Sequence, residues 1–114
     1  MTPDALRAIA LALPGSEEGF NMGSAVFKVN GKVLCRLLSD ETAMFTGVGF
    51  DEREMLLEAR PDVFHISPHY KDYPAMLVNL GPLDPTECAS FLEARWRQIA
   101  PKKAVRAFDA GKAG

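Results

Sequence analysis

The sequence predicts an α+β domain, an antiparallel sheet of about five strands with helices packed on it, and three observations lead there. Asn30-Gly31 lies between Ala25 to Val29 and Lys32 to Leu38, and it is the pair that best fits the two positive-φ positions of a type I′ hairpin turn. Asp84, Pro85 and Glu87 mark a helix start, after which Cys88, Phe91, Leu92, Trp96 and Ile99 recur at helical spacing. Strand-like runs joined by short turns give an antiparallel sheet, covered here by helices. The expected order is helix, three strands, helix, two strands, helix, short helix.

The first helix begins at Thr2 as cap with Pro3 in its first position, where a missing N–H costs nothing. Leu6, Ile9, Ala10 and Leu13 fall on one face, and Pro14-Gly15 ends it. Ser16 to Ser24, rich in Gly, Ser and Glu, reads as a surface loop in which Phe20 and Met22 are candidates for the core or for the lip of a site. In the two-residue hairpin register Val29 faces Lys32 and Lys28 faces Val33, which sets Lys28 on the opposite sheet face from Lys32 and Arg36. A three-residue loop would instead put the three cations on one face.

Thr42 to Val48 reads as a third strand with Met44, Thr46 and Val48 on one side. Asp51 followed by Glu54 resembles a capping box, with Met55, Leu56 and Ala59 as the apolar face of a short helix that Arg60-Pro61 stops. Val63 to Ile66 is a short strand, Ser67 to Pro74 a loop, and Ala75 to Leu80 an apolar strand. Lys102 to Asp109 makes a last helix with Val105 and Phe108 inward and Lys102, Lys103 and Arg106 outward. Residues 1–110 form one domain, and residues 111–114 are expected to fray.

At 114 residues, 47% hydrophobic and 25% charged, the chain supports one core and not two. Cys35 and Cys88 lie among apolar neighbours, which suits buried reduced thiols and a cytoplasmic setting. There is no signal-peptide pattern and no run of 18 apolar residues, so no membrane contact is expected.

No stretch combines reactive groups at the spacing that a known chemistry requires, and no enzyme activity, cofactor or metal is expected. His65 and His69 have the spacing of a helical ligand pair, but Pro68 lies between them, and with Asp72 they do not define a tetrahedral site. Both cysteines are too apolar in setting to serve as nucleophiles. No Gly-x-Ser-x-Gly turn or phosphate-cradling loop is present.

Charge is unevenly placed. From Ser39 to Asp62 seven acids face Arg53 and Arg60, a balance of −5, and from Arg95 to Gly114 six bases face Asp109, a balance of +5, within a net charge of −2. Lys28, Lys32, Arg36, Lys71, Lys102, Lys103 and Arg106 are the candidate nucleic-acid contacts, with Tyr70 and Tyr73 beside Lys71 able to stack on bases. Ordinary solvated charge and half-buried tyrosines explain the same residues.

Leu13-Pro14-Gly15 with Glu17-Glu18, then Phe27-Lys28-Val29-Asn30-Gly31-Lys32, Pro68-His69-Tyr70, Tyr73-Pro74-Ala75, Trp96 and Ala100-Pro101-Lys102 give the chain a likeness from about Pro3 to about Asp109. In their order and spacing they resemble the MmcQ/YjbR family of small bacterial proteins. The resemblance implies a curved antiparallel sheet like that of secretion chaperones, a cytoplasmic protein, and a DNA-binding label drawn from a double-wing analogy. It also marks His69, Tyr70, Tyr73 and Pro74 as a signature loop, and it offers no catalytic residues. At Asn21-Met22-Gly23 the family pattern is more often aromatic.

The resulting expectation is a monomeric domain that binds DNA weakly through a local basic surface. The alternative is a protein-interaction or chaperone-like module with an exposed sheet face or edge for a protein or peptide. A third is a small-molecule pocket lined by Phe20, Met22, His69, Tyr70 and Tyr73.

Overall fold

The computed structural model describes residues 1–113. Its elements are α1 (Pro3–Ala12), β1 (Ser16–Asn21), β2 (Ser24–Val29), β3 (Lys32–Leu37), β4 (Thr42–Thr46), α2 (Phe50–Ala59), β5 (Phe64–His65), β6 (Ala75–Asn79), α3 (Pro85–Ile99) and α4 (Lys102–Ala113). The strands form one antiparallel sheet in the order β1-β2-β3-β4-β6-β5. The α+β reading therefore holds, with six strands instead of about five.

The additional strand is β1, where the sequence suggests a loop. It lies at the sheet edge and all its residues but Ser16 are exposed, so it lacks the apolar alternation that marks a half-buried strand. Its hairpin with β2 closes at Met22 and Gly23 (φ +54° and +80°), and the next one closes at Asn30 and Gly31 (φ +54° and +76°). Both have the consecutive positive-φ residues that match strand twist, and the second carries the expected Val29–Lys32 and Lys28–Val33 pairs. Phe20 and Met22 are 77% and 89% exposed, so neither belongs to the core.

One sheet face carries the main core. Leu6 and Ala10 of α1, and Cys88, Leu92, Trp96 and Ile99 of α3, pack there against Phe27, Val29, Leu34, Cys35 and Phe45. Thr2 and Asp84 cap α1 and α3 as expected, accepting from the amides of Ala5 and Thr86. Helix α4 lies on the same side, where Ala104, Val105 and Phe108 pack on this core and the Phe108 ring sits 4.9 Å from that of Trp96. It runs to Ala113, beyond the expected end at Asp109, and Gly114 of the expected frayed tail lies outside the described residues.

Three local expectations are corrected. Gly49, not Asp51, caps α2, leaving Asp51 and Glu52 in the first turn, where they favour the helix dipole. Of the expected apolar face only Leu56 packs on the core, joined by Leu57, while Met55 is 66% exposed, Ala59 is exposed, and the fully buried residue is Arg53. Strand β4 ends at Thr46, and Gly47 turns the chain at φ +73°, so Val48 joins the main core while Met44 lies in a second cluster.

Burial holds both cysteines as thiols: it pushes Cys88 up to about 12 and Cys35 further still. Neither is a nucleophile near neutral pH.

Candidate functional site

Among the described residues, no helix contributes to the apolar cluster on the second face of the sheet. This small cluster is Met44, Ala75 and Leu77, flanked by Val33, Leu38 and Tyr70. Tyr70 comes from the 67–74 loop, which joins the neighbouring strands β5 and β6 and lays its ring on this face.

A bulge decides which cations share this face. Phe27 pairs with Cys35 but Lys28 pairs with Val33, so Leu34 is an extra residue in β3. Leu34 and Cys35 both enter the main core, and Arg36, opposite Val26, therefore emerges on the same face as Lys28. This overturns the expectation that Lys28 and Arg36 lie on opposite faces, whereas Lys32, opposite Val29, does lie apart from Lys28. The bulge leaves carbonyls outside the ladder, and side chains take them up. Thr46 Oγ1 lies 2.9 Å and 2.8 Å from the Val33 and Leu34 oxygens, and Arg95 Nε donates to Val33 O at 3.1 Å.

The loop is fixed from below by Arg53, which is 5% exposed. Its Nη1 donates to Tyr73 O at 2.7 Å, Ala75 O at 3.0 Å and Tyr70 O at 3.4 Å, while Nη2 donates to Lys71 O at 2.7 Å. A rigid fork reaching four carbonyls sets the loop's path in a way that no single hydrogen bond does. The Phe50 ring covers the guanidinium at 4.8 Å. Nothing in the sequence singles out Arg53, which stands among the acids Asp51, Glu52 and Glu54.

Between this loop and the tip of the β1–β2 hairpin lies a cleft of about 360 Å³ lined by Met22, Gly23, Ser24, Arg36, Leu38, His69 and Tyr70. The rings of His69 and Tyr70 meet at 86° with centroids 4.6 Å apart. Arg36 is oriented by Asn21 O and Ser24 Oγ, each 3.2 Å from Nη1. Of the pocket residues expected from sequence, Met22, His69 and Tyr70 are here. Phe20 belongs to a neighbouring depression with Glu17, Glu18 and Lys28, and Tyr73 is 60% exposed outside the cleft. Ser24 and Leu38 carried no sequence signal for a site.

The seven candidate cations do not form one surface. Lys28 and Arg36 share the helix-free face, with Glu17 directly across from Lys28. Lys71 stands on the overlying loop, by a shallow depression with Ile66, Ser67 and Pro68. Lys32 is at the β2–β3 turn, and Lys102, Lys103 and Arg106 are on α4 in the helical layer. Pro74 contributes its carbonyl to Val48 N at 3.1 Å. His65 is on β5 with a buried Nδ1 that has no hydrogen-bond partner. Among the described residues no three His, Cys, Asp or Glu side chains come together as a metal-binding group, and no helix is long and apolar enough to cross a membrane.

A family model described as YjbR matches residues 11–98. The chain belongs to the YjbR family. Among relatives, the uncharacterised protein Rv2570 of Mycobacterium tuberculosis is 29% identical over 79 residues, covering 69% of this chain and 54% of that protein. The uncharacterised protein Mb2600 of Mycobacterium bovis matches with the same figures. The chain spans about half the length of the curated relatives it matches. No solved structure matches it.

Several of the quoted motif residues of this YjbR-family chain meet as staples. Trp96 Nε1 donates to Pro14 O at 2.8 Å, Asn30 Nδ2 donates to Ile99 O at 3.1 Å, and Arg7 pairs with Glu18 at 2.9 Å. These contacts tie the first turn, the hairpin and the end of α3 together. The Tyr70 ring, on the helix-free face, lies away from them.

Proposed function

We propose that this domain is a non-catalytic, monomeric, cytoplasmic binding domain that takes single-stranded nucleic acid, DNA foremost, weakly across the helix-free sheet face. The observation that carries the reading is the β3 bulge, which brings Arg36 to the same face as Lys28 and into the cleft walled by His69 and Tyr70. Cations with adjacent aromatic rings are what sequence-tolerant binders of single strands use. The free, buried cysteines support the cytoplasmic placement. Glu17 across from Lys28 and the net charge of −2 keep the affinity low.

Fluorescence anisotropy with a labelled single strand tests this. Three phosphate contacts, from Lys28, Arg36 and Lys71, give a log Kd against log salt slope of about 2 in magnitude. Charge reversal at Lys28 or Lys71 weakens binding, and reversal at Lys102 and Lys103 leaves it unchanged. No binding at ~50 mM salt defeats the reading.

A second reading, a protein-interaction module, is favoured by the outer strand β1, which presents Phe20 exposed at the sheet edge, with Met22 exposed in the turn that follows it. An open edge accepts a further strand through backbone hydrogen bonds. It predicts self-association or peptide capture that is insensitive to salt.

A further inference from the structure

The cleft beside Arg36 combines two kinds of wall. On one side the guanidinium is held by Asn21 O and Ser24 Oγ, with Asn21 Oδ1 at 3.4 Å from Nη2, and all three acceptors are neutral. None of the ion pairs among the described residues involves Arg36, so its charge is oriented but not compensated. On the other side the perpendicular rings of His69 and Tyr70 make an aromatic corner, with Leu38 adding apolar surface. Met22 stands at the lip in a left-handed conformation (φ +54°), 89% exposed, a flexible apolar side chain able to close over a flat ligand.

We propose that this cleft is a subsite for one nucleotide, with the phosphate on Arg36 and the base in the His69–Tyr70 corner. A guanidinium fork suits phosphate oxygens, and an aromatic corner suits a planar heterocycle; a simple inorganic anion would use only the first. The volume of about 360 Å³ falls within the range of sites for small molecules. The proposal rests on the nucleic-acid reading of the same face and supplies its recognition unit. The shared chemistry, a base joined to a phosphate, can come from a free nucleoside monophosphate or from one residue of a strand.

Amide ¹H–¹⁵N spectra of the full chain, titrated separately with AMP, adenosine, inorganic phosphate and a short single-stranded oligonucleotide, separate these cases. AMP is expected to shift the amides of residues 22–24, 36–38 and 69–70 saturably, at about tenfold lower concentration than adenosine or phosphate alone, since the charged contact adds to the stacking. Arg36→Gln weakens AMP about tenfold. Met22→Glu, a change at an exposed tip that leaves the melting temperature unaltered, weakens it as well by placing a carboxylate at the lip.

An oligonucleotide that shifts the same amides and shares the Arg36 dependence identifies a strand as the source. AMP binding without oligonucleotide binding keeps the subsite and overturns the strand reading. Oligonucleotide binding that leaves these amides still but shifts those of residues 26–28, 33 and 71 overturns the subsite and keeps the strand reading on the rest of the face, whereas shifts elsewhere overturn both. Absence of any AMP response up to ~10 mM overturns the subsite.

Discussion

Arg53→Met is expected to lower stability by about 3 kcal/mol, because it removes a charged donor shared by four carbonyls, and a buried polar group left unpaired costs on the order of 1–3 kcal/mol. The sum stays below four full penalties because Tyr70 O and Tyr73 O also accept from the amides of Tyr73 and Ala75, at 3.1 Å and 2.7 Å. The corresponding fall in melting temperature is roughly 10–15 °C. Arg53→Lys keeps the charge but not the planar fork, so it loses part of this and not all. The loop also loses its path, and His69 and Tyr70 no longer form one wall of the cleft. Thermal melts together with amide exchange over residues 67–75 check both effects. A methionine variant that melts like the unmodified protein would show that the carbonyl clamp does not hold the loop.

Trp96→Ala is expected to cost about 4 kcal/mol, the range for deleting a large buried ring. The ring is fully buried, contacts Phe108 and donates to Pro14 O, so three segments lose their common anchor. Against a total stability of about 5–15 kcal/mol, the alanine variant folds only marginally. Trp96→Phe retains much of the packing and loses the hydrogen bond, for about 1–2 kcal/mol. Urea unfolding followed by circular dichroism separates the two variants. Equal midpoints for Trp96→Phe and Trp96→Ala would contradict the role assigned to the ring.

The sequence was readable where patterns are local. Asn30-Gly31, the Asp84 cap and the Cys88-to-Ile99 stripe state their structures within a few residues, and the fold shows them as read. Strand β1 was not readable because an exposed edge strand has no apolar period. The bulge at Leu34 was not readable because apolar neighbours such as Leu34 and Cys35 suit either register, and only the packing of the whole sheet chooses. Its consequence is functional, since one extra residue moves Arg36 from the core side to the helix-free side. The Arg53 clamp is non-local by nature: its acceptors lie 17 to 22 residues away. The His69–Tyr70 loop was visible by composition, whereas its partner Arg36 in the cleft was singled out only as one cation among seven.

The measurement closest to the central claim is a footprint of a single-stranded oligonucleotide on the amide spectrum at low salt. Binding across the helix-free face predicts shifts confined to residues 22–28, 33–38 and 69–71, diminishing as salt rises. Shifts centred instead on residues 102–106 of α4, with the 69–71 amides unmoved, would contradict it.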